Sequence, residues 1–247
     1  MFPSIGSPFN VIFSIGLVLW AGLFVGGYAG GTLSEDRTSR VARRLKLGMS
    51  LLLVGAALIW WRVGTAGTSL SRLGAFIFLG MLFGFLGDVS LSDDIITLPQ
   101  PVILGIISFL IGHIFYILGY LYLARVLGLA DTWLRLIVQG VYQVVGIGAW
   151  ALLVRSPQAG TKLNIGSLVY TVFLAAMTAY ATWLALLEPR LVSLAVGANL
   201  FLISDVILGM RLLRGKTFPL IRDVVWALYN PGQALIVFSV GTALRLL

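Results

Sequence analysis

The 247-residue chain has no cysteine and a single histidine, His113. Without a thiol there can be no disulfide, no thiolate nucleophile and no cysteine-built metal site, and the redox compartment leaves no mark on the sequence. Zinc usually draws on several His or Cys ligands, so one histidine would leave carboxylates to supply nearly the whole set, and no metal site is expected. Charge is scarce too: 11% of the residues are charged, nine acidic against seventeen basic. What fills the space is apolar, 59% of residues with a mean hydropathy of +1.01. Too few polar residues remain to cover a soluble globule of this size, and the composition defines a polytopic membrane protein.

The net charge of +8 does not point to nucleic acid, because the basic residues lie in short loops between apolar segments and form no single patch interleaved with exposed aromatics. Crossing about 30 Å of hydrocarbon takes roughly 20 helical residues. A window of that length finds eight segments: 10–30, 46–61, 70–91, 102–123, 133–154, 163–187, 191–210 and 224–244. The expected architecture is an all-α membrane protein, an eight-transmembrane-helix bundle forming one integral membrane domain over residues 1–247. The first segment has no Lys or Arg before it and no evident small-residue cleavage site, so it reads as a retained helix. Gly22, Gly26 and Gly30, and Gly80 with Gly84, have the four-residue spacing that permits close helix packing. Trp60 and Trp61 beside Arg62 read as an interfacial belt.

Basic residues also set the orientation. Arg37, Arg40, Arg43, Arg44, Lys46, Arg155, Lys162, Arg211, Arg214, Lys216 and Arg222 fall in loops on one side, together with the acidic loop Ser92 to Gln100. Six basic residues fall on the other, Arg62, Arg72, Arg125, Arg135, Arg190 and Arg245. Eleven against six places the odd-numbered loops in the cytoplasm and both termini outside. The Arg37 to Lys46 cluster serves that signal and would also attract anionic lipid. The membrane would be the inner membrane of a bacterium or an endomembrane such as the endoplasmic reticulum of a eukaryote.

Two aspartates stand inside this apolar background with similar local spelling, Leu86-Gly87-Asp88-Val89-Ser90-Leu91 and Ile203-Ser204-Asp205-Val206-Ile207-Leu208. An Asp at the centre of a membrane helix costs about 2.5 to 3.5 kcal/mol, so such residues face a polar interior, a partner or water. They lie four helices apart, which gives both helices the same direction and puts both carboxylates in one leaflet, near the basic loops. Roughly 5 Å and 8 Å separate them from the helix ends on that side. The likeness also hints at a four-plus-four parallel repeat. The fourth and eighth helices start from the same side and carry His113 and Tyr116 at i, i+3, then Tyr229, Asn230 and Gln233 around Pro231. Proline removes a backbone donor there, which can open a wet pocket beside the cluster. The pocket should form mainly from the third, fourth, seventh and eighth helices, with the other four as scaffold. Asn199, six residues before Asp205, is turned away around its helix and reads as structural.

These residues, Gly87-Asp88, Gly112-His113 to Tyr116, Ser204-Asp205, and Tyr229 with Gly232-Gln233, resemble the YhhN family of lysoplasmalogenases. Each motif is short; their order and separations across the third to eighth helices make the combination specific. Asn230-Pro231 departs from a more aromatic family pattern. The resemblance implies hydrolysis of the vinyl ether bond of a lysoplasmalogen, a lysophospholipid, to a fatty aldehyde and glycerophospho-ethanolamine or glycerophospho-choline, with the aspartates as the essential groups.

The residues suit that chemistry. A vinyl ether is protonated at the carbon beta to oxygen, giving an oxocarbenium ion that water captures as a hemiacetal. Two carboxyls sharing a dry pocket can hold one proton between them, leaving an acid and an anion side by side, and a coupled pair titrates together, so the roles stay unassigned at this level. The vinyl ether lies just beneath the headgroup, at the depth of the aspartates. Asp88 and Asp205 are thus the candidate catalytic groups, with His113, Tyr116, Tyr229, Asn230 and Gln233 lining the substrate site. Protonation and water addition need no organic cofactor. The rival reading is a proton-coupled transporter using the aspartates as a relay, and a third is a noncatalytic lipid-binding or assembly protein.

Overall fold

The structure, a computed structural model, describes residues 7–92 and 97–247. Asp93 and Asp94, the acidic part of the loop expected between the third and fourth helices, lie outside them. Among the described residues there is no strand, and eight α-helices follow one another: α1 (Ser7–Gly30), α2 (Arg43–Ile59), α3 (Ser71–Ser90), α4 (Pro101–Val126), α5 (Thr132–Ala149), α6 (Gly160–Leu187), α7 (Val192–Arg214) and α8 (Ile221–Leu244). Seven helical stretches, from α2 to α8, are long and apolar enough to cross a membrane; in α1 the apolar stretch Ser14–Gly30 is shorter. The protein is therefore an integral membrane helical bundle.

Local chemistry sets the ends. Pro101 starts α4, where a fixed φ and a missing N–H cost nothing. Asp131 caps α5 by accepting from the Leu134 N–H at 2.9 Å. Gly215, at φ +65°, ends α7 in the left-handed conformation four residues beyond the expected limit. That extension puts Asp205 nine residues, about 13 Å, from the end of its helix, deeper than the sequence estimate. Both α2 and α5 finish in a π-helical turn, Trp60–Gly64 and Trp150–Val154.

The closest helix pairs are α3 with α4 and α7 with α8, and α6 ties the halves together by packing on both α4 and α7. Glycine makes the second pair possible. A Cβ on Gly197 would stand 2.6 Å from the Gly232 carbonyl oxygen, and one on Gly232 would stand 2.8 Å from that of Gly197. In α3, Gly80 leaves room for the Tyr116 ring, and a Cβ on Gly84 would come within 3.1 Å of Gln233 Nε2. Gly22, Gly26 and Gly30 differ from the expectation: all three face open space, and the close approaches are made by Gly27, near Val41, and Gly31, against the Arg40 backbone. The α1 face that packs is offset by one residue from the one the spacing marked.

Trp60 also departs from its expected place. It is fully buried, edge to face with Phe238 at 6.4 Å, so only Trp61, with the Arg62 guanidinium 4.6 Å from its ring, fits an interfacial anchor. At the basic end of the bundle the α1–α2 loop is fastened to the start of α8. Leu220 and Arg222 donate backbone N–H groups to the Arg37 and Thr38 carbonyls at 2.9 and 3.0 Å. The buried Asp223 carboxylate accepts from Lys46 Nζ at 2.7 Å, Ser39 Oγ at 2.8 Å and the Arg40 N–H at 2.5 Å. One member of the positive cluster, Lys46, is thus already neutralised inside the protein.

Candidate active site

Asp88 on α3 and Asp205 on α7 border one cavity of about 120 Å³, enclosed by α2, α3, α4, α7 and α8. Phe109, Trp226 and Tyr229 give it aromatic walls, and Arg43, Lys46, Arg211 and Arg222 line it toward the helix ends that carry the basic loops. The spacing on α8 explains this graded wall: Arg222, Trp226 and Tyr229 are at i, i+4 and i+7, one face of the helix.

Each carboxylate has one oxygen held and the other directed elsewhere. Asp88 Oδ2 accepts from Ser50 Oγ at 2.6 Å and from the Tyr229 hydroxyl at 3.0 Å. Tyr229 in turn accepts from Gln233 Nε2 at 3.4 Å, and Gln233 Oε1 accepts from the Tyr116 hydroxyl at 2.7 Å. Every donor in that chain therefore points toward Asp88. Asp205 Oδ2 accepts from the Tyr170 hydroxyl. That leaves the Tyr170 oxygen to accept from His113 Nε2, 3.0 Å away, which fixes the imidazole with its proton on Nε2; His113 Nδ1 is buried with no partner among the described residues. Asp88 Oδ1 makes no hydrogen bond to the described residues, and Asp205 Oδ1 has only Ser204 Oγ at 3.2 Å, a hydroxyl whose proton goes to the Phe201 carbonyl at 2.7 Å.

The sequence-derived candidates thus separate into ranks. Asp88, Asp205 and Tyr229 line the cavity; Tyr116, Gln233 and His113 sit behind it, fully buried, and reach the carboxylates through a tyrosine or a glutamine. His113 does not touch Asp205 directly but through Tyr170. Asn230 is not with them. It faces α1, accepts from Trp20 Nε1 at 2.5 Å and leaves Nδ2 without a partner among the described residues, because successive helical residues diverge by about 100° and Tyr229 already occupies the pocket face. Asn199 bonds Tyr142 at 2.8 Å and lines no part of the cavity.

Two helices read as scaffold contribute directly: α2 supplies Ser50 and α6 supplies Tyr170. Their signal was present but slight. Ser50 stands one turn after Lys46, and Tyr170 lies three residues after Ser167, on the same face of its helix. Ser and Tyr hydroxyls are common in membrane helices, so neither stands out without its partner.

A second cavity, about 60 Å³, adjoins the first between α4, α6, α7 and the π-turn that ends α5. It is apolar, lined by Ile106, Trp150, Val154, Leu174 and Leu212 among others. Leu91, Phe109, Asp205 and Leu208 border both cavities, so Asp205 stands at their junction. Among the described residues no three or more His, Asp or Glu are grouped to hold a metal ion.

Fold and site together define an integral membrane protein of helical-bundle architecture with two embedded carboxylates on a shared chamber. The model of the YhhN family matches residues 41–240, which covers α2 to α8 up to Val240, and the chain belongs to the YhhN family. Comparison with curated proteins and with solved structures gives no match.

Proposed function

We propose that the protein hydrolyses the vinyl ether bond of lysoplasmalogens, with Asp88 and Asp205 as its acid and base. The observation that carries this reading is the junction at Asp205, where a charged chamber holding two carboxylates meets an apolar groove. A lysovinyl-ether lipid has the same polarity order, and its reactive bond lies at the boundary.

Asp205, which borders the groove, is the proton donor to the alkenyl carbon beta to oxygen. The oxocarbenium ion so formed takes the oxygen of a water molecule whose proton passes to Asp88, which lies in the polar chamber. The hemiacetal then returns its hydroxyl proton to Asp205, while Asp88 gives its proton to the departing glycerol oxygen. Aldehyde and glycerophospho-alcohol leave, one water has been added, and both carboxyls are restored. Tyr170 and Tyr229 hold the other carboxylate oxygens, so the reactive ones meet substrate in a fixed orientation. Water excluded from the aromatic walls cannot compensate the charges, which strengthens the anion's hold on the cation.

The chain crosses the membrane eight times in this reading, α1 included, with the site in the cytoplasmic leaflet and the two halves related as a parallel repeat. The test is release of fatty aldehyde from a defined lysoplasmalogen by purified protein. Asp88→Asn and Asp205→Asn should each lower kcat by about 10² to 10⁴, the usual contribution of a positioned acid or base, with an unchanged melting profile. Full turnover in either variant overturns the mechanism. Proton-driven solute uptake by reconstituted protein, with no aldehyde, would favour the transporter instead.

A further inference from the structure

We propose that Arg211 and Arg222 form a phosphate-recognition subsite over the aspartate chamber, which seats the headgroup of a single-chain phospholipid while its hydrocarbon lies in the groove beyond Asp205. The assignment rests on the hydrolase reading for the reacting bond, but the recognition of phosphate stands on its own observations.

Four basic side chains line the chamber, and they differ in what already satisfies them. Lys46 is paired with Asp223 at 2.7 Å. Arg43 donates to the Leu91 carbonyl at 3.5 Å, at the end of α3. Arg222 uses one terminal nitrogen on Asp36 at 2.9 Å, and its Nε is buried without a hydrogen bond to the described residues. The Arg211 side chain, partly buried in the last turn of α7, has neither a hydrogen bond nor an ion pair to the described residues. Two guanidiniums converging on one cavity repel each other and lose hydration, a cost that an anion between them removes. The site aspartates do not play that part: their bonded partners are the hydroxyls of Ser50, Tyr229, Tyr170 and Ser204.

Placement selects the anion. Arg211 lies six residues past Asp205, a rise of about 9 Å, and Arg222 seven residues before Tyr229, about 10 Å. Long arginine side chains cover part of that distance, so what remains fits a glycerol unit, with phosphate above and ether bond below. A planar guanidinium offers paired donors to two phosphate oxygens, which a lysine cannot match. The groove at Asp205 then takes the chain, with Trp150 and Val154 of the π-turn on its wall. An anion with no hydrocarbon would fill the upper chamber and leave the groove empty.

Binding is measured first, on detergent-solubilised full chain, using a 1-alkyl lysophospholipid that cannot be hydrolysed, the matching phosphate-free 1-alkylglycerol, and inorganic phosphate. The wild type should bind the phospholipid roughly 10- to 100-fold more tightly than the alkylglycerol, the factor expected of charge-assisted hydrogen bonds. In Arg211→Gln that ratio should collapse toward one, and Arg211→Lys should recover only part of it. The Arg211 side chain makes no bond to the described residues, so its replacement leaves the fold intact; Arg222→Gln, which also releases Asp36, is the secondary variant. In turnover, Arg211→Gln should raise KM for the phosphate-bearing lipid with little change in kcat. Equal binding of the two lipids by the wild type, or an unchanged ratio in Arg211→Gln, overturns the subsite. Inorganic phosphate binding as tightly as the phospholipid would mark a free-anion site and overturn the lipid assignment. Selective, Arg211-dependent lipid binding without aldehyde release would sink the hydrolase and leave the subsite standing.

Discussion

Asp88 is held by two hydroxyls on one oxygen, while the other meets no donor among the described residues. A carboxylate so restrained keeps its orientation, and at Asp205 one oxygen is likewise held, by the Tyr170 hydroxyl. Tyr170→Phe removes the hydroxyl that links His113 to Asp205, so a buried imidazole N–H loses its acceptor. That change should destabilise the protein by about 1 to 3 kcal/mol in a chemical or thermal melt and lower kcat more than it alters KM. Asn230→Leu, by contrast, should leave turnover within about twofold, because its side chain bonds Trp20 on α1 and not the site; the check is the aldehyde assay, and a loss as large as that of Asp88→Asn would return Asn230 to the site. The carboxylates were legible in the sequence because each is a lone costly group in an apolar run. Two of their hydroxyl partners were not, since Ser50 and Tyr170 lie 38 and 35 residues from the carboxylates they hold, and a Ser or Tyr hydroxyl in a membrane helix carries no mark of its partner.

Helices meet closely where a missing side chain allows it. Gly232 follows Pro231 in α8 and lies against the Gly197 carbonyl of α7, which brings together the two helices that carry Asp205 and Tyr229. Gly197→Val forces those backbones apart and should cost about 1 to 3 kcal/mol or more, with activity lost in step with the fall in Tm. Gly26→Ala faces open space and should leave the melt unchanged, since nothing lies within 4 Å of its added carbon. Four-residue glycine spacing therefore marked the right helix in α3 and the wrong face in α1. Spacing gives a stripe's period, while the neighbour that meets it is set by how the bundle closes. The Lys46–Asp223 pair ties α2 to α8 in the same way. Asp223→Ala leaves a buried ammonium unpaired and should cost about 3 to 5 kcal/mol of stability, measured by denaturation in detergent.

At the scale of the molecule, a basic rim over two carboxylates stands beside an apolar groove, all on the side where α2, α4, α6 and α8 begin. The absence of cysteine makes the orientation directly testable, because any introduced thiol is the sole one in the chain. Lys216→Cys in the α7–α8 loop and Ala66→Cys between α2 and α3 lie at opposite ends. An impermeant thiol reagent should label Ala66→Cys in intact cells and Lys216→Cys only after the membrane is opened. The opposite pattern would invert the topology and move the site to the outer leaflet.

Composition and hydropathy were enough to establish a membrane bundle, place its helices and single out two aspartates, because transfer out of water is costed residue by residue and needs no knowledge of neighbours. Tertiary structure decided which side chains complete each carboxylate, that Asn230 turns toward α1, that Trp60 is core, and that Asp205 lies where two cavities join. Those outcomes depend on contacts between segments far apart in the chain, and the period of a helix fixes a residue's angle on its own cylinder but not which cylinder it faces.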